Sequence, residues 1–116
     1  MTRKKPGTSR SGTTHDIELG KVKIHLTANR GDDGNIIELF GKASGGFQGF
    51  VNVLCSTASL ALQHGCSIDV ICKLWRHTRF EPSGIAGQGT SIPDAIAKCI
   101  DEELKKEKEK KEKEKK

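Results

Sequence analysis

The sequence predicts an α+β domain in which a three-stranded antiparallel meander packs against about three helices. The first half of the chain alternates apolar and polar residues in short runs separated by glycine turns, which is typical of strands. The second half repeats apolar residues at helical spacing. Both ends are too polar to contribute to a core, so residues 13–104 are expected to form the folded unit.

Three strands are predicted in the first half of the chain. Residues 15–19 and 22–26 alternate apolar and polar side chains, and the Gly20-Lys21 pair between them suits a tight hairpin turn. The glycines and aspartates of residues 31–34 form a second turn, which leads into the apolar run at residues 35–41. A small sheet with one apolar face needs a cover, because a bare sheet of this size is marginally stable in water.

Two helices follow the sheet. The first has an apolar stripe at i, i+3, i+4 and i+7 spacing and is expected to end at Gly65. Ser67 is expected to cap the second, shorter helix. The predicted apolar faces consist of Phe47, Phe50, Val51, Leu54, Ala58, Ala61 and Leu62 in the first helix, and of Ile68, Ile71, Leu74 and Trp75 in the second.

A third helix is expected to begin near Ser91 or Ile92. Pro93 suits its first turn, and Ser91 with Asp94 three residues later resembles a capping box. Its apolar stripe consists of Ile92, Ile96, Cys99, Ile100 and Leu104.

The net charge of +5 resides in the ends of the chain. The first ten residues carry four positive charges, and the last twelve carry eight Lys and four Glu, which leaves −3 for the body. Residues 1–12 are expected to be a disordered basic arm, and residues 105–116 a flexible Lys/Glu tail, most simply a fraying extension of the third helix. Nucleic acid is therefore expected to bind only weakly, through these ends.

A cytoplasmic protein is expected, because no apolar run long enough for a signal peptide or a membrane span is present. The four cysteines are then expected to be reduced. Cys55, Cys72 and Cys99 lie within predicted helices as small apolar side chains, and Cys66 is expected to be the accessible one. Two alternatives are a zinc site with His64 or His77 and a redox role for Cys66.

The best candidate site is the glycine-rich loop that leads into the third helix. Exposed backbone N–H groups at a helix N-terminus suit a phosphate or carboxylate, and nearby arginines add charge and planar donors. The alternative is a mobile connection that simply requires glycine. No catalytic or metal-binding pattern is specific enough to assign. The candidate residues for an anion or nucleotide are Arg76, His77, Arg79, Gly84, Gly87, Gly89, Thr90 and Ser91.

Two segments carry a resemblance to a known family. The run LALQHGCSIDVICKLWRHTRFEPSG resembles SLALQ-G-…-K-…-TRFEPSG in the C-terminal region of adenosylcobalamin-dependent ribonucleotide reductases. GTSIPDAIAKCIDEEL resembles the motif that names the TSCPD domain. The order of the motifs agrees over residues 13–104. Ile92 replaces the motif's Cys, so any thiol role at that position is lost.

The resemblance implies an accessory domain that is not catalytic alone. The barrel that binds adenosylcobalamin has no counterpart here, so no cofactor is expected. The implied function is in deoxyribonucleotide synthesis, by docking on a ribonucleotide reductase catalytic subunit or by binding a nucleotide. The alternative is an independent module that sequesters a nucleotide or phosphate without a reductase partner.

The chain is also expected to form a homo-oligomer. A unit of this size has a limited core, and five aromatic residues are many to cover with three strands and three helices. They are Phe40, Phe47, Phe50, Trp75 and Phe80.

Overall fold

The computed structural model describes residues 12–85 and 87–114. Three strands, β1 (Gly12–Leu19), β2 (Val22–Arg30) and β3 (Ile36–Ala43), precede three helices. The helices are α1 (Gln48–Gln63), α2 (Ile68–Trp75) and α3 (Ile92–Glu114). The strands form one antiparallel sheet in the order β1-β2-β3, so the predicted α+β fold class is confirmed.

The first hairpin is longer than the apolar alternation predicts. Gly12 pairs with Asn29, and Thr14 shares a 3.0 Å side-chain hydrogen bond with Thr27 on the neighbouring strand. Backbone pairing extends the ladder through polar residues that no apolar pattern marks. Gly12, which the prediction placed in the basic arm, therefore begins β1. The rest of the predicted arm lies outside the described residues.

The core lies on one face of the sheet, where α1 packs against β3 and α3 against β1. Ile24 and Leu26 of the central strand β2 are fully buried and belong to the same apolar cluster as Val51 of α1 and Ile96 of α3. Gly41 allows the close approach of α1 to β3, because a Cβ at this position would lie only 2.5 Å from Cγ1 of Val51.

Polar side chains of α1 bind the outer edge of β3. Ser59 Oγ accepts the Leu39 N–H at 2.8 Å and donates to the Leu39 carbonyl at 3.1 Å. Gln48 accepts the Ala43 N–H and donates to the Gly41 carbonyl. These contacts give β3 the partners that an edge strand otherwise lacks, and they explain why a serine is buried in an apolar helix.

The helix faces differ from the prediction at three positions. Phe50 of α1 is 41% exposed and Leu74 of α2 is 74% exposed, although both were assigned to buried stripes. Cys72 takes the buried position instead, because Leu74 lies about 100° around the helix from the centre of the face that packs against α3. Ser67 occupies the N-cap position of α2, but its hydroxyl makes no capping hydrogen bond.

Helix α3 begins as predicted and continues beyond residue 104. Ser91 Oγ accepts the Asp94 N–H at 3.1 Å in the first turn. The Lys/Glu segment is helical as far as Glu114, and Glu107 pairs with Arg30 of β2 at 2.6 Å. Glu103 joins the same cluster by contacting both Arg30 and His15. None of the helices in the described chain is long and apolar enough to cross a membrane.

Candidate functional site

The loop between α2 and α3 is organised around the carboxylate of Asp94, which is 1% exposed. Oδ1 accepts the His77 N–H at 2.7 Å, and Oδ2 accepts the Thr90 N–H at 2.9 Å. The ammonium group of Lys98 lies 3.5 Å from Oδ2. Asp94 therefore joins the two ends of the loop to the first turn of α3.

The electrostatic environment of Asp94 favours the charged carboxylate. Burial by itself raises its pKa. The hydrogen bonds from the N–H groups of His77 and Thr90, with the charge of Lys98, outweigh burial and hold the pKa below its ordinary value. The negative charge at the N-terminus of α3 is thus provided by the chain itself.

Hydroxyl groups complete the link between the two ends of the loop. Thr90 donates to the Thr78 carbonyl at 2.7 Å, and Thr78 shares a 2.6 Å hydrogen bond with Ser91. The Phe80 N–H donates to the Thr90 carbonyl at 3.2 Å. Thr90 and Ser91, both predicted as ligand-binding residues, therefore have partners within the protein.

Gly84 and Gly89 allow close packing in the loop, whereas a Cβ at Gly87 would have no atom of the described residues within 4 Å. Gly89 has a φ of +145°, and a Cβ at this position would lie 3.0 Å from Cβ of Ala95 on α3. The Gly84 N–H donates to the Gly89 carbonyl at 3.0 Å. Gln88 Oε1 accepts N–H groups from Ile85 and from Gly20 in the β1–β2 turn. The loop is thus fixed against both the helix and the sheet.

The three basic residues predicted for the site differ in their contacts. Arg76 makes two 2.9 Å hydrogen bonds with the Asp101 carboxylate, so it connects the end of α2 to α3. His77 has a left-handed backbone, with φ +66°, and its N–H contacts Asp94. Arg79 is exposed and makes no hydrogen bond or ion pair with the residues that the structure describes. Arg76 and Arg79 are therefore not brought together as one anion-binding pair.

The outer surface of the loop carries Arg79, Phe80 and Ile85, which we call the docking loop. Phe80 is 44% exposed and Ile85 is 74% exposed. The Phe80 ring meets the ring of Phe50 edge to face, with 6.0 Å between the ring centroids. A pocket of about 330 Å³ beside Arg79 is lined by Phe80, Glu81, Ser83 and Thr90.

The cysteines show no arrangement for metal binding. Burial raises the pKa of Cys55 to about 11 and that of Cys72 to about 12. Cys66 is partly exposed as predicted. Cys99, which was expected to pack as a small apolar side chain, is partly exposed as well. Among residues 12–85 and 87–114, no three His, Cys, Asp or Glu side chains are placed to hold a metal ion.

Two relationships in the site were missed by the sequence analysis. The Ser91-x-x-Asp94 spacing predicts a capping box, and Ser91 Oγ does accept the Asp94 N–H. The side chain of Asp94, however, contacts the His77 and Thr90 N–H groups, which the spacing does not predict. The partner of Arg76 was also missed. The sequence feature that could have indicated this pair is an arginine at the end of one helix followed by an aspartate on the exposed edge of the next.

Comparison with known proteins gives a consistent result. Residues 1–104 match the TSCPD domain. The chain is 33% identical over 98 residues to the Vitamin B12-dependent ribonucleotide reductase of Bradyrhizobium diazoefficiens, and 29% identical over 98 residues to that of Agrobacterium fabrum. Each match covers 82% of this chain but only 8% of the reductase. No solved structure matches the chain significantly.

Proposed function

Because the chain belongs to the TSCPD domain family, we propose that it acts in deoxyribonucleotide synthesis as an accessory domain that docks on the catalytic subunit of a ribonucleotide reductase. Both curated relatives are B12-dependent ribonucleotide reductases, and the chain spans only about 8% of their length. A folded unit that corresponds to a small part of a large enzyme contributes most simply by contacting the rest of that enzyme.

The docking loop is the observation that carries this proposal. Arg79 and two apolar side chains, Phe80 and Ile85, are exposed on the loop between α2 and α3. The buried carboxylate of Asp94 fixes the backbone of this loop by hydrogen bonds at both of its ends. A loop fixed in advance loses little conformational entropy on binding. Aromatic and arginine side chains are also enriched at the centres of protein interfaces. Arg79 and Phe80 lie in the TRFEPSG segment, which resembles the corresponding reductase segment, and Ile85 follows it directly.

Direct titration tests the docking proposal. The partner is the reductase of Bradyrhizobium diazoefficiens from which the segment matching this chain has been deleted, and heat release reports binding. We expect the wild-type chain to bind this truncated enzyme. Ile85→Lys and Arg79→Glu are expected to weaken binding at least about tenfold, because each places an unfavourable charge in the contact.

The matched control for the docking loop is Phe40→Lys. Phe40 is 52% exposed on β3, so the control introduces a charge at an exposed apolar position outside the loop. It is expected to bind like the wild type. Absence of wild-type binding would reject docking, and an equal loss in Phe40→Lys would reject the docking loop as the contact surface.

A second candidate function, binding of a nucleotide or phosphate without a reductase partner, has narrower support. Arg79 provides a cation beside the pocket, but Glu81 places a carboxylate in the same pocket. Most of the other predicted ligand groups have partners within the chain. A thermal-shift screen with nucleotides and inorganic phosphate tests this candidate. A shift that disappears in Arg79→Ala would support it, and no shift at millimolar concentration would reject it.

A further inference from the structure

Helix α1 and the turn that follows it carry no charge, whereas α2 contains Asp69 and Lys73. Residues 43–68 contain no Asp, Glu, Lys or Arg, although 30% of the whole chain is charged. This stretch includes all of α1, whose outer side faces solvent. Depletion of charged residues is typical of the centre of a protein interface and not of a free surface.

Large apolar side chains are exposed on this surface. Val53 and Leu60 of α1 are 67% and 49% exposed, and Val70 and Leu74 of α2 are 59% and 74% exposed. With Phe50 they form what we call the α1–α2 patch. Contiguous apolar patches of this kind mark interaction sites more often than isolated exposed residues do.

The α1–α2 patch contains both a groove and the ridges beside it. An open groove of about 330 Å³ runs between the two helices. Ala58, Ile71 and Trp75 line it and are at most 8% exposed, whereas Val53 and Leu74 at its sides protrude into solvent. A two-fold interface requires a patch that is complementary to itself, and a ridge next to a groove is one shape that meets this requirement.

We propose that the α1–α2 patch is the interface of a homodimer, in which the ridge of each copy enters the groove of the other. A two-fold interface places each patch against itself, so a charged patch would meet its own charge, and this one does not. The chain's own first eleven residues suit the groove poorly, because they are basic and contain only Met1 and Pro6 as apolar residues. The patch adjoins the docking loop where Phe50 meets Phe80, but the dimer does not depend on the proposed function.

The size of the patch predicts a weak dimer. At 1.5 Å per residue α1 is about 24 Å long and α2 about 12 Å, and a helix is about 10 Å wide. The two helices therefore offer a footprint of about 400 Å² per copy, or about 800 Å² for the pair, which is below the roughly 1,200 Å² of a standard specific interface and in the range of weak, transient ones. Self-association is expected at micromolar to submillimolar concentration.

Sedimentation equilibrium of the purified chain over this concentration range tests the dimer. The weight-average mass is expected to rise from 12.6 kDa toward twice that value. Val53→Lys and Leu74→Glu are expected to remain monomeric, because each introduces a charge on a ridge. Phe40→Lys, on the sheet, is the matched control and is expected to associate like the wild type. Thermal melts of each variant confirm folding.

Mixing two charge variants tests whether the partner is a second copy. Val53→Lys and Thr57→Glu are each expected to be monomeric alone and to associate when mixed, because the lysine on the ridge of one copy then meets the glutamate in the groove of the other. A wild-type protein that stays at 12.6 kDa throughout the range would overturn the proposal. So would a dimer that persists in Val53→Lys, or one that Phe40→Lys disrupts equally.

Discussion

The carboxylate of Asp94 lies 2.7 Å from the backbone N–H of His77, seventeen residues earlier in the chain. The same carboxylate accepts the Thr90 N–H at 2.9 Å. One buried side chain therefore closes the whole loop between α2 and α3. The loop presents the exposed side chains of Phe80 and Ile85 on a backbone that these hydrogen bonds hold.

Asp94→Asn is expected to lower the free energy of unfolding by roughly 1–3 kcal/mol. The substitution preserves shape, but it removes the charge that strengthens two hydrogen bonds and directs an amide N–H₂ toward one of the backbone donors. Denaturant unfolding measures the loss. Asp32→Asn, in the exposed turn between β2 and β3, is the control and is expected to change stability by less than about 0.5 kcal/mol.

The contribution of Asp94 is expected to disappear in acid. Its pKa in the folded protein is lower than in the unfolded chain, where it is about 4. The stabilisation is therefore complete above about pH 4 and is lost as pH falls through the folded-state pKa. The difference in unfolding free energy between wild type and Asp94→Asn should be constant from neutral pH to about pH 5 and should shrink below pH 4. A difference that grows in acid would contradict this account.

Arg76 is expected to stabilise the fold and to leave docking unaffected. Its two hydrogen bonds to Asp101 join α2 to α3, and both side chains are a little more than one-third exposed. Solvent screening limits the pair, so a double-mutant cycle of Arg76→Ala and Asp101→Ala should give a coupling energy of at most about 1 kcal/mol. Reductase binding per folded molecule should be unchanged. If Arg76→Ala folds fully but binds the reductase more weakly, Arg76 belongs to the contact surface, which would contradict this account.

The cysteines are expected to differ in reactivity toward a thiol reagent. Cys55 and Cys72 are buried, and their pKa values of about 11 and 12 leave very little thiolate near neutral pH. Cys66 is partly exposed and should react first. Mass spectrometry after brief labelling gives the order. Labelling of Cys55 at the same rate as Cys66 in the folded protein would show that the core opens readily.

The secondary structure was predictable because it follows local patterns. Alternation in β2 and the helical stripe around Val51 each depend on residues close in sequence, and the structure contains both elements. The direction in which a helix faces depends on what packs against it, so Leu74 was wrongly placed in the core. The contact of Asp94 with His77 joins residues seventeen positions apart in sequence, and no local pattern reveals it.

The loop between α2 and α3 was predictable as an element of the fold, whereas its role as a binding site stays a prediction. The glycines and the start of α3 marked the loop correctly, because glycines before a helix indicate close backbone packing. The groups that fill this space, however, belong to the chain itself. A sequence pattern shows that N–H groups converge near Asp94, but not that its own carboxylate is their partner.

Ribonucleotide reduction by the truncated Bradyrhizobium diazoefficiens reductase, measured with and without this chain added in trans, tests the central claim most directly. We expect activity to rise on addition of wild-type chain, to saturate at the concentration at which binding saturates, and to rise much less with Ile85→Lys. Activity that stays the same at saturating concentrations of a folded wild-type chain would contradict an accessory role in this reaction.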